Sequence, residues 1–310
     1  MGVSFELLDK REYKLLLDPA AFCGALSLAL ADRFWTRRLK PLIIATLDER
    51  NPRKSRAEGK FSHAEQRIVT FFDTRKLLLD RHGFALRTRE AVEDGARSGK
   101  PGVTLKFRTP DLLLAREFAG AANMSDDDKF EEDIALLQVA PKDGAGKRSV
   151  TTPRRPSIYS RFSVSLRRDL SVGLQELRGA FEQFEPFERE LNAAEGSEVK
   201  KGRKLHAGPA VCEWVFEGAA VDLGAVDAGF AFTLWYFVED GEGRNQFRKA
   251  ASGGLQPRVA EISFDFKTKD GRVDADVSRR ASKLLIAMRK KLPANRHSTS
   301  KTALALPPLR

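Results

Sequence analysis

Two pairs of basic residues have the spacing of a strand face. Arg87 and Arg89 are two residues apart, as are Lys106 and Arg108, and both segments otherwise have the composition of β-strands. Because successive strand side chains point to opposite faces, each pair projects to one side. Guanidinium and ammonium groups in this arrangement could bind an anion, although an antiparallel sheet with one solvent-facing side would show the same alternation.

Charged and polar side chains share one parity in further segments of the chain. They are Lys10, Glu12 and Lys14; Glu131 and Asp133; Arg161, Ser163, Ser165 and Arg167; and Glu261, Ser263, Asp265 and Lys267. Both acidic and basic rows are therefore present. If these faces converge inside a closed antiparallel barrel, the interior is a charged channel and helices cover the apolar outer faces.

The composition indicates a globular protein with an anionic partner. Hydrophobic residues make up 42% of the 310 residues, and the formal net charge is +11. Such a charge favours nucleic acid, anionic lipid or a phosphorylated small molecule as the partner. Much of the excess lies at strand spacing or in short loop runs such as 53–56 and 200–204, not in one long basic arm, which argues against nucleic acid.

Cysteine usage and the apolar runs indicate a cytoplasmic protein. Only Cys23 and Cys212 are present, which suits a reducing compartment better than a disulfide framework. The apolar run at 22–30 has nine residues, whereas a membrane-crossing helix needs roughly 20. We therefore predict a cytoplasmic location and no membrane partner. The chain also lacks P-loop, Rossmann and zinc-ligand motifs.

We predict a single domain over residues 1–292. No internal repeat and no convincing linker divides the chain. Apolar residues at helical spacing predict a terminal helix that ends near residue 291, and they are Val277, Ala281, Leu284, Leu285 and Met288. Residues 293–310 show no such pattern, so a disordered tail is expected there.

Several short motifs resemble, in their order, those of the CYTH or triphosphate tunnel metalloenzyme superfamily. The chain has FFDT at 71–74, LRTR at 86–89 and TLK at 104–106, which are similar to that superfamily's aromatic-Asp-Thr turn, Leu-Arg-x-Arg strand and Thr-Leu-Lys strand. EYK at 12–14 stands at the place of its N-terminal Glu-x-Glu-x-Lys signature, and EISFDFK at 261–267 at that of its closing acidic strand.

The resemblance implies an α+β fold, in which an eight-stranded antiparallel β-barrel forms a tunnel with helices packed outside. It also implies that basic rows bind a triphosphate and that carboxylates bind one or two Mg²⁺ or Mn²⁺ ions. The implied substrate-binding residues are Lys14, Arg87, Arg89, Lys106, Arg108, Arg161 and Arg167. The implied metal ligands are Glu12, Glu131, Asp133, Glu261 and Asp265, and the implied catalytic residues are Glu12, Lys14 and Glu213. These types suit the chemistry, because Arg and Lys bind phosphate oxygens and hard cations prefer carboxylates.

Two positions depart from the superfamily's pattern. Lys10 stands where the signature has its first Glu, and Ser263 stands between two acidic residues where successive Glu residues are usual. We expect metal-dependent hydrolysis of an inorganic or organic triphosphate, with two alternatives: a tunnel that binds triphosphate or polyphosphate without cleaving it, and an adenylate cyclase of the CYTH type. Glu213 could also be a surface carboxylate, because its neighbours fix only its parity.

Overall fold

The structure is a computed structural model that describes residues 7–24, 26–47, 56–93, 96–137, 157–237, 252, 254–294 and 301–308. The strands are β1 (Lys10–Leu17), β2 (Ala57–Asp73), β3 (Phe84–Glu93), β4 (Ala96–Thr109), β5 (Lys129–Leu137), β6 (Ser157–Asp169), β7 (His206–Ala207), β8 (Val211–Asp222), β9 (Asp227–Phe237) and β10 (Val259–Lys267). The helices are α1 (Leu28–Phe34), α2 (Lys40–Leu47), α3 (Leu78–Arg81), α4 (Leu112–Ala121), α5 (Leu177–Gln183), α6 (Glu185–Glu195), α7 (Ala275–Lys291) and α8 (Lys301–Ala305). A π-helical turn, Trp35–Leu39, joins α1 to α2.

Nine strands close into a barrel. The order around it is β3, β4, β6, β5, β1, β10, β9, β8 and β2, and pairing of β2 with β3 completes the ring. Within the described strands of this ring, β1 and β5 run parallel and every other neighbouring pair is antiparallel. The predicted α+β tunnel with outer helices is confirmed, but it has nine strands instead of eight and one parallel pair. Alternation along a strand sets its buried face and leaves its neighbours and their direction open, which explains this difference.

Two groups of helices cover the apolar outer face of the barrel. Helices α1, α2 and α7 pack over β1, β8, β9 and β10, where the rings of Tyr13 and Phe264 stack with centroids 4.9 Å apart. Helices α3 to α6 pack over β3, β4, β5 and β6, where the rings of Phe84 and Phe107 stack at 4.8 Å. Because the apolar side of each strand faces these helices, the charged side faces the barrel interior.

Helix α7 has clear start and stop signals in its sequence. Asp274 caps its N-terminus, since the side chain accepts hydrogen bonds from the backbone amides of Asp276 and Val277 at 2.8 and 3.1 Å. Three basic residues at 289–291 occupy its last turn, where the helix dipole favours positive charge. The predicted apolar stripe is buried and the helix ends at Lys291, as expected. No described helix is long and apolar enough to cross a membrane.

The described end of the chain packs into one end of the barrel. Ala305 closes helix α8, and both Ala305 and Leu306 are buried. They form an apolar cluster with Val69, Phe71, Val211, Trp235 and Val259, which lie on the interior faces of their strands. Disorder was expected over 293–310, but residues 301–308 are anchored here by apolar side chains that have no helical or strand periodicity.

Candidate functional site

Strand pairing brings the charged faces of β1, β5 and β10 together inside the barrel. Strand β1 lies between β5 and β10. Lys10 is paired with Glu131 of β5. Glu12 is paired with Asp133 of β5 and with Asp265 of β10. Since all these positions share one parity along their strands, their side chains point to the same interior.

Glu12, Glu131 and Asp133 form a carboxylate cluster, in which one oxygen of each residue lies within 4.8 Å of the others. Lys14 Nζ is 2.8 Å from Glu12 Oε2 and 2.7 Å from Asp133 Oδ1. Lys106 Nζ is 3.3 Å from Glu131 Oε2 and 3.3 Å from Asp133 Oδ2. Two predicted phosphate ligands are therefore ion-paired to the predicted metal ligands.

The pKa values in the cluster reflect these ion pairs. Burial would raise the pKa of Glu131, but Lys106 and Lys10 outweigh burial and lower the pKa to about 2. The pKa of Asp133 likewise lies well below its usual value, because Lys106 and Lys14 outweigh burial. Burial dominates at Lys106 and lowers the pKa of its ammonium group to about 8, although both carboxylates oppose this. The carboxylates therefore stay ionised at neutral pH and attract cations.

The carboxylate cluster has the donor set of a site for one hard divalent cation. Mg²⁺ and Mn²⁺ prefer carboxylate oxygens, and three such groups within 4.8 Å of one another are close enough to share one ion. Lys14 and Lys106 now contact oxygens of this set. A bound ion would take over part of the charge neutralisation that these two lysines provide.

The other two predicted metal ligands lie outside the cluster. Asp265 Oδ2 is 3.1 Å from Lys10 Nζ, and burial raises the pKa of this carboxyl group. Glu261 is 6% exposed and forms an ion pair with Lys301 at the start of α8. Lys301 also lies over the ring of Trp235, with Nζ 5.2 Å from the ring centroid. The sequence offered no signal for Lys301, because the surrounding segment has no periodic pattern.

Arg87, Arg89 and Arg167 form an arginine wall on β3 and β6. The Nε atoms of all three are buried and have no hydrogen-bond partner within the described part of the chain. Burial and the neighbouring Arg89 charge lower the pKa of Arg87 well below its usual value. Burial also lowers the pKa of Arg89 to about 10, although Glu213 opposes this. Burial of positive charge is unfavourable, and Glu213 offsets it only in part at Arg87 and Arg89, so the wall favours the binding of an anion.

Two further predicted substrate ligands lie beside these groups. Arg108 Nε is 3.7 Å from Asp133 Oδ2, so it adjoins the carboxylate cluster. Arg161 is exposed, and its guanidinium carbon lies 5.3 Å from the ring centroid of Tyr159. Arg161 shares the interior parity of β6 and is opposite Asp133 in the β5–β6 pairing, but its side chain reaches solvent.

Glu213 is an interior residue of the barrel, with an exposure of 4%. Its Oε2 accepts a hydrogen bond from Arg67 Nε at 2.6 Å, and its Oε1 accepts one from Trp235 Nε1 at 2.8 Å. Burial would raise the pKa of Glu213, but Arg67 and Arg89 outweigh it and lower the pKa to about 2. Sequence reasoning did not select Arg67, because the other residues of its parity in the segment 67–72, Val69 and Phe71, are apolar and no polar alternation marks the segment.

No protein-family model and no curated protein matches this chain. Similar solved structures include a Hippeastrum protein, HpAC1, that is named as an adenylyl cyclase and described as having a dominant triphosphatase activity. It is 12% identical to this chain, the match covers 96% of this chain and 95% of that chain, and the TM-score is 0.43. Another is a Bacillus halodurans protein named as an adenylate cyclase, with 10% identity, coverage of 94% and 96%, and a TM-score of 0.35. A third is PH1819 of Pyrococcus horikoshii, with 10% identity, coverage of 92% and 95%, and a TM-score of 0.31. These values assign neither a family nor an activity to the chain.

Proposed function

We propose that the barrel interior binds the phosphate chain of an inorganic or organic triphosphate and hydrolyses it with a divalent cation. The arginine wall is the observation that supports this proposal most strongly, because it presents three guanidinium groups with buried, unpaired Nε atoms to an interior that also contains the carboxylate cluster. A triphosphate carries several negative charges along a short chain. It could therefore pair with the wall and share a cation with the cluster, whereas a singly charged anion would leave most of the wall unpaired.

The basic residues would act mainly by neutralising and positioning the phosphate chain. The arginine wall would donate hydrogen bonds to phosphate oxygens, for which the planar guanidinium group is well suited. Lys14 and Lys106 already contact the carboxylate cluster, so they would bind phosphate oxygens next to it. Arg161, which is exposed to solvent, would contact the anion as it enters. Phosphoryl transfer depends chiefly on such positioning and electrostatic stabilisation.

The carboxylates would divide two further tasks. A Mg²⁺ or Mn²⁺ ion held by Glu12, Glu131 and Asp133 would neutralise phosphate oxygens and lower the pKa of a bound water. Glu12, whose Oε2 is 2.8 Å from Lys14 Nζ, would lie beside the ion and accept a proton from the attacking water. Glu213 would act as a positioning residue that holds Arg67 beside the arginine wall.

The proposal is tested by incubating the purified protein with Mg²⁺ or Mn²⁺ and with tripolyphosphate, ATP or thiamine triphosphate. We expect phosphate release from at least one substrate, strongly reduced release after Arg89→Met or Glu131→Gln, and unchanged release after Arg97→Met. Arg97 is the control because its side chain is 61% exposed and pairs with Glu90. Failure to release phosphate from any substrate would refute hydrolysis. Failure to bind any of them in calorimetry would refute the whole proposal.

Binding without cleavage is a second candidate, which one observation favours. Lys10, Lys14 and Lys106 already form ion pairs with the carboxylates that a cation would need. Such an interior could hold a triphosphate or polyphosphate chain without a metal ion. Undiminished triphosphate affinity in the presence of EDTA, together with no turnover, would support this candidate over hydrolysis.

Adenylate cyclase activity is a third candidate, and the ATP reaction decides it. Detection of cyclic AMP would support a cyclase, whereas detection of ADP and phosphate would support hydrolysis.

We also propose a cytoplasmic location, which agrees with the free thiols of Cys23 and Cys212 and which cell fractionation would test.

A further inference from the structure

Lys10 projects between two carboxylates of the barrel interior. Its Nζ is 3.1 Å from Glu131 Oε1 and 3.1 Å from Asp265 Oδ2. The side chain of Lys10 is 18% exposed and that of Glu131 6%, whereas that of Asp265 is 37% exposed, so the ammonium group lies between an enclosed carboxylate and a more open one. Backbone pairing holds it there, because Lys10 is opposite Glu131 across the parallel β1–β5 pair. A cation attached to the chain thus links carboxylates of two different strands.

The surrounding charges are already close to balance. Four carboxylates face three ammonium groups and one guanidinium group in this part of the tunnel, so the charges balance; the carboxylates are Glu12, Glu131, Asp133 and Asp265, and the basic groups are Lys10, Lys14, Lys106 and Arg108. One divalent cation would already make this region positive before the triphosphate binds. A second one near Asp265 would lie against the Lys10 ammonium group, and two cations would compete for the same oxygens.

We infer that Lys10 takes the place of a second divalent cation, so that the tunnel binds its triphosphate with one exchangeable metal ion and not two. This inference rests on the proposed function and specifies its metal stoichiometry. An ammonium group 3.1 Å from each of two carboxylate oxygens occupies the position from which a metal ion would bridge them. The lysine contributes one fixed positive charge between Glu131 and Asp265, and the carboxylate cluster remains the single metal site.

The test counts the Mn²⁺ ions bound per chain, with and without imidotriphosphate, a triphosphate analogue with nitrogen bridges that resist hydrolysis. Calorimetry and the electron paramagnetic resonance signal of free Mn²⁺ both report the number. We expect one ion on the wild-type chain and two on Lys10→Glu, which replaces the cation by a ligand. Lys10→Gln is expected to bind one ion, because it removes the charge without adding a carboxylate.

Lys76→Glu is the matched control, since it changes the net charge by the same amount at an exposed turn before α3. It is expected to bind one Mn²⁺ ion. Two ions on the wild-type chain, or one ion on correctly folded Lys10→Glu, would overturn the role of Lys10. If Lys10→Glu does not fold, as judged by circular dichroism, the wild-type count alone decides. Failure of imidotriphosphate to bind would instead refute the proposed function, so the two failures are distinguishable.

Discussion

Replacement of Arg89 by methionine is expected to stabilise the ligand-free protein. Burial lowers the pKa of Arg89 from 12.5 to about 10. This shift means that the folded state destabilises the charged side chain by roughly 3 kcal/mol. Because this pKa is lower in the fold than in the unfolded chain, the cost acts at every pH below about 10. Methionine retains an apolar stem and removes the charge. We therefore expect the free energy of unfolding at pH 7 to rise by about 1–3 kcal/mol.

The same substitution is expected to weaken triphosphate binding. Arg89 Nε has no hydrogen-bond partner among the described residues, so it is available to a ligand. A hydrogen bond between charged groups contributes roughly 1.5–3 kcal/mol. Loss of one such bond lowers the affinity roughly 10- to 150-fold. A gain in stability together with a loss of affinity distinguishes a ligand-binding residue from a structural one.

Both effects are measured on one preparation. Urea unfolding in a buffer without phosphate or sulfate reports the stability, and calorimetric titration with tripolyphosphate reports the affinity. Arg97→Met serves as the control, because Arg97 is exposed and should change neither quantity by much. If Arg89→Met is less stable than the wild type and binds tripolyphosphate equally well, then Arg89 is a structural residue and the argument from the arginine wall is wrong.

Three further substitutions have expected outcomes. The pKa of Glu213 is lowered from 4.5 to about 2, so its carboxylate stabilises the fold above pH 4.5 by roughly 3 kcal/mol, and this contribution is lost as the pH falls towards 2. Glu213→Gln should remove the contribution, so urea unfolding should show a smaller decrease in the free energy of unfolding between pH 7 and 2.5 than in the wild type. Lys301→Met removes the ion pair that holds α8, so amide exchange over 302–306 should accelerate roughly tenfold in mass spectrometry, and unchanged exchange would contradict this. At Gly83, φ is +78° and an added Cβ would lie 2.3 Å from Arg108 O, so Gly83→Ala should lower the free energy of unfolding by roughly 2 kcal/mol or more in urea.

Much of the barrel interior was predictable from local alternation. The segment 86–89 and the segment 104–108 each have two basic residues that are two positions apart, and Leu86, Leu105 and Phe107 have the opposite parity. Each strand of β3 and β4 packs one face against helices, and this face is the apolar one, which α3 to α6 cover. The charged face must then point inward in a closed barrel, which is why the basic rows of β3 and β4 face the interior.

Other features of the site were not predictable from local patterns. Arg67 is the single charged residue in the segment 67–72, and its pairing with Glu213 depends on the register between β2 and β8. Lys301 lies in a segment without periodicity, and its contact with Glu261 depends on how the end of the chain enters the barrel. Register and chain-end packing are long-range properties, so a local pattern contains no information about them.

The sequence by itself determined which side chains of a strand share a face and which face is charged, because strand periodicity and side-chain polarity are local. Tertiary structure decided the rest: the ninth strand, the parallel pairing of β1 with β5, and the ion pairs that follow from it. Lys10 shows the difference most clearly. Its type and parity are evident from the sequence, but its contacts with Glu131 and Asp265 exist only because β1 lies between β5 and β10. Charge balance in a closed interior depends on which strands are neighbours, and only the fold specifies those neighbours.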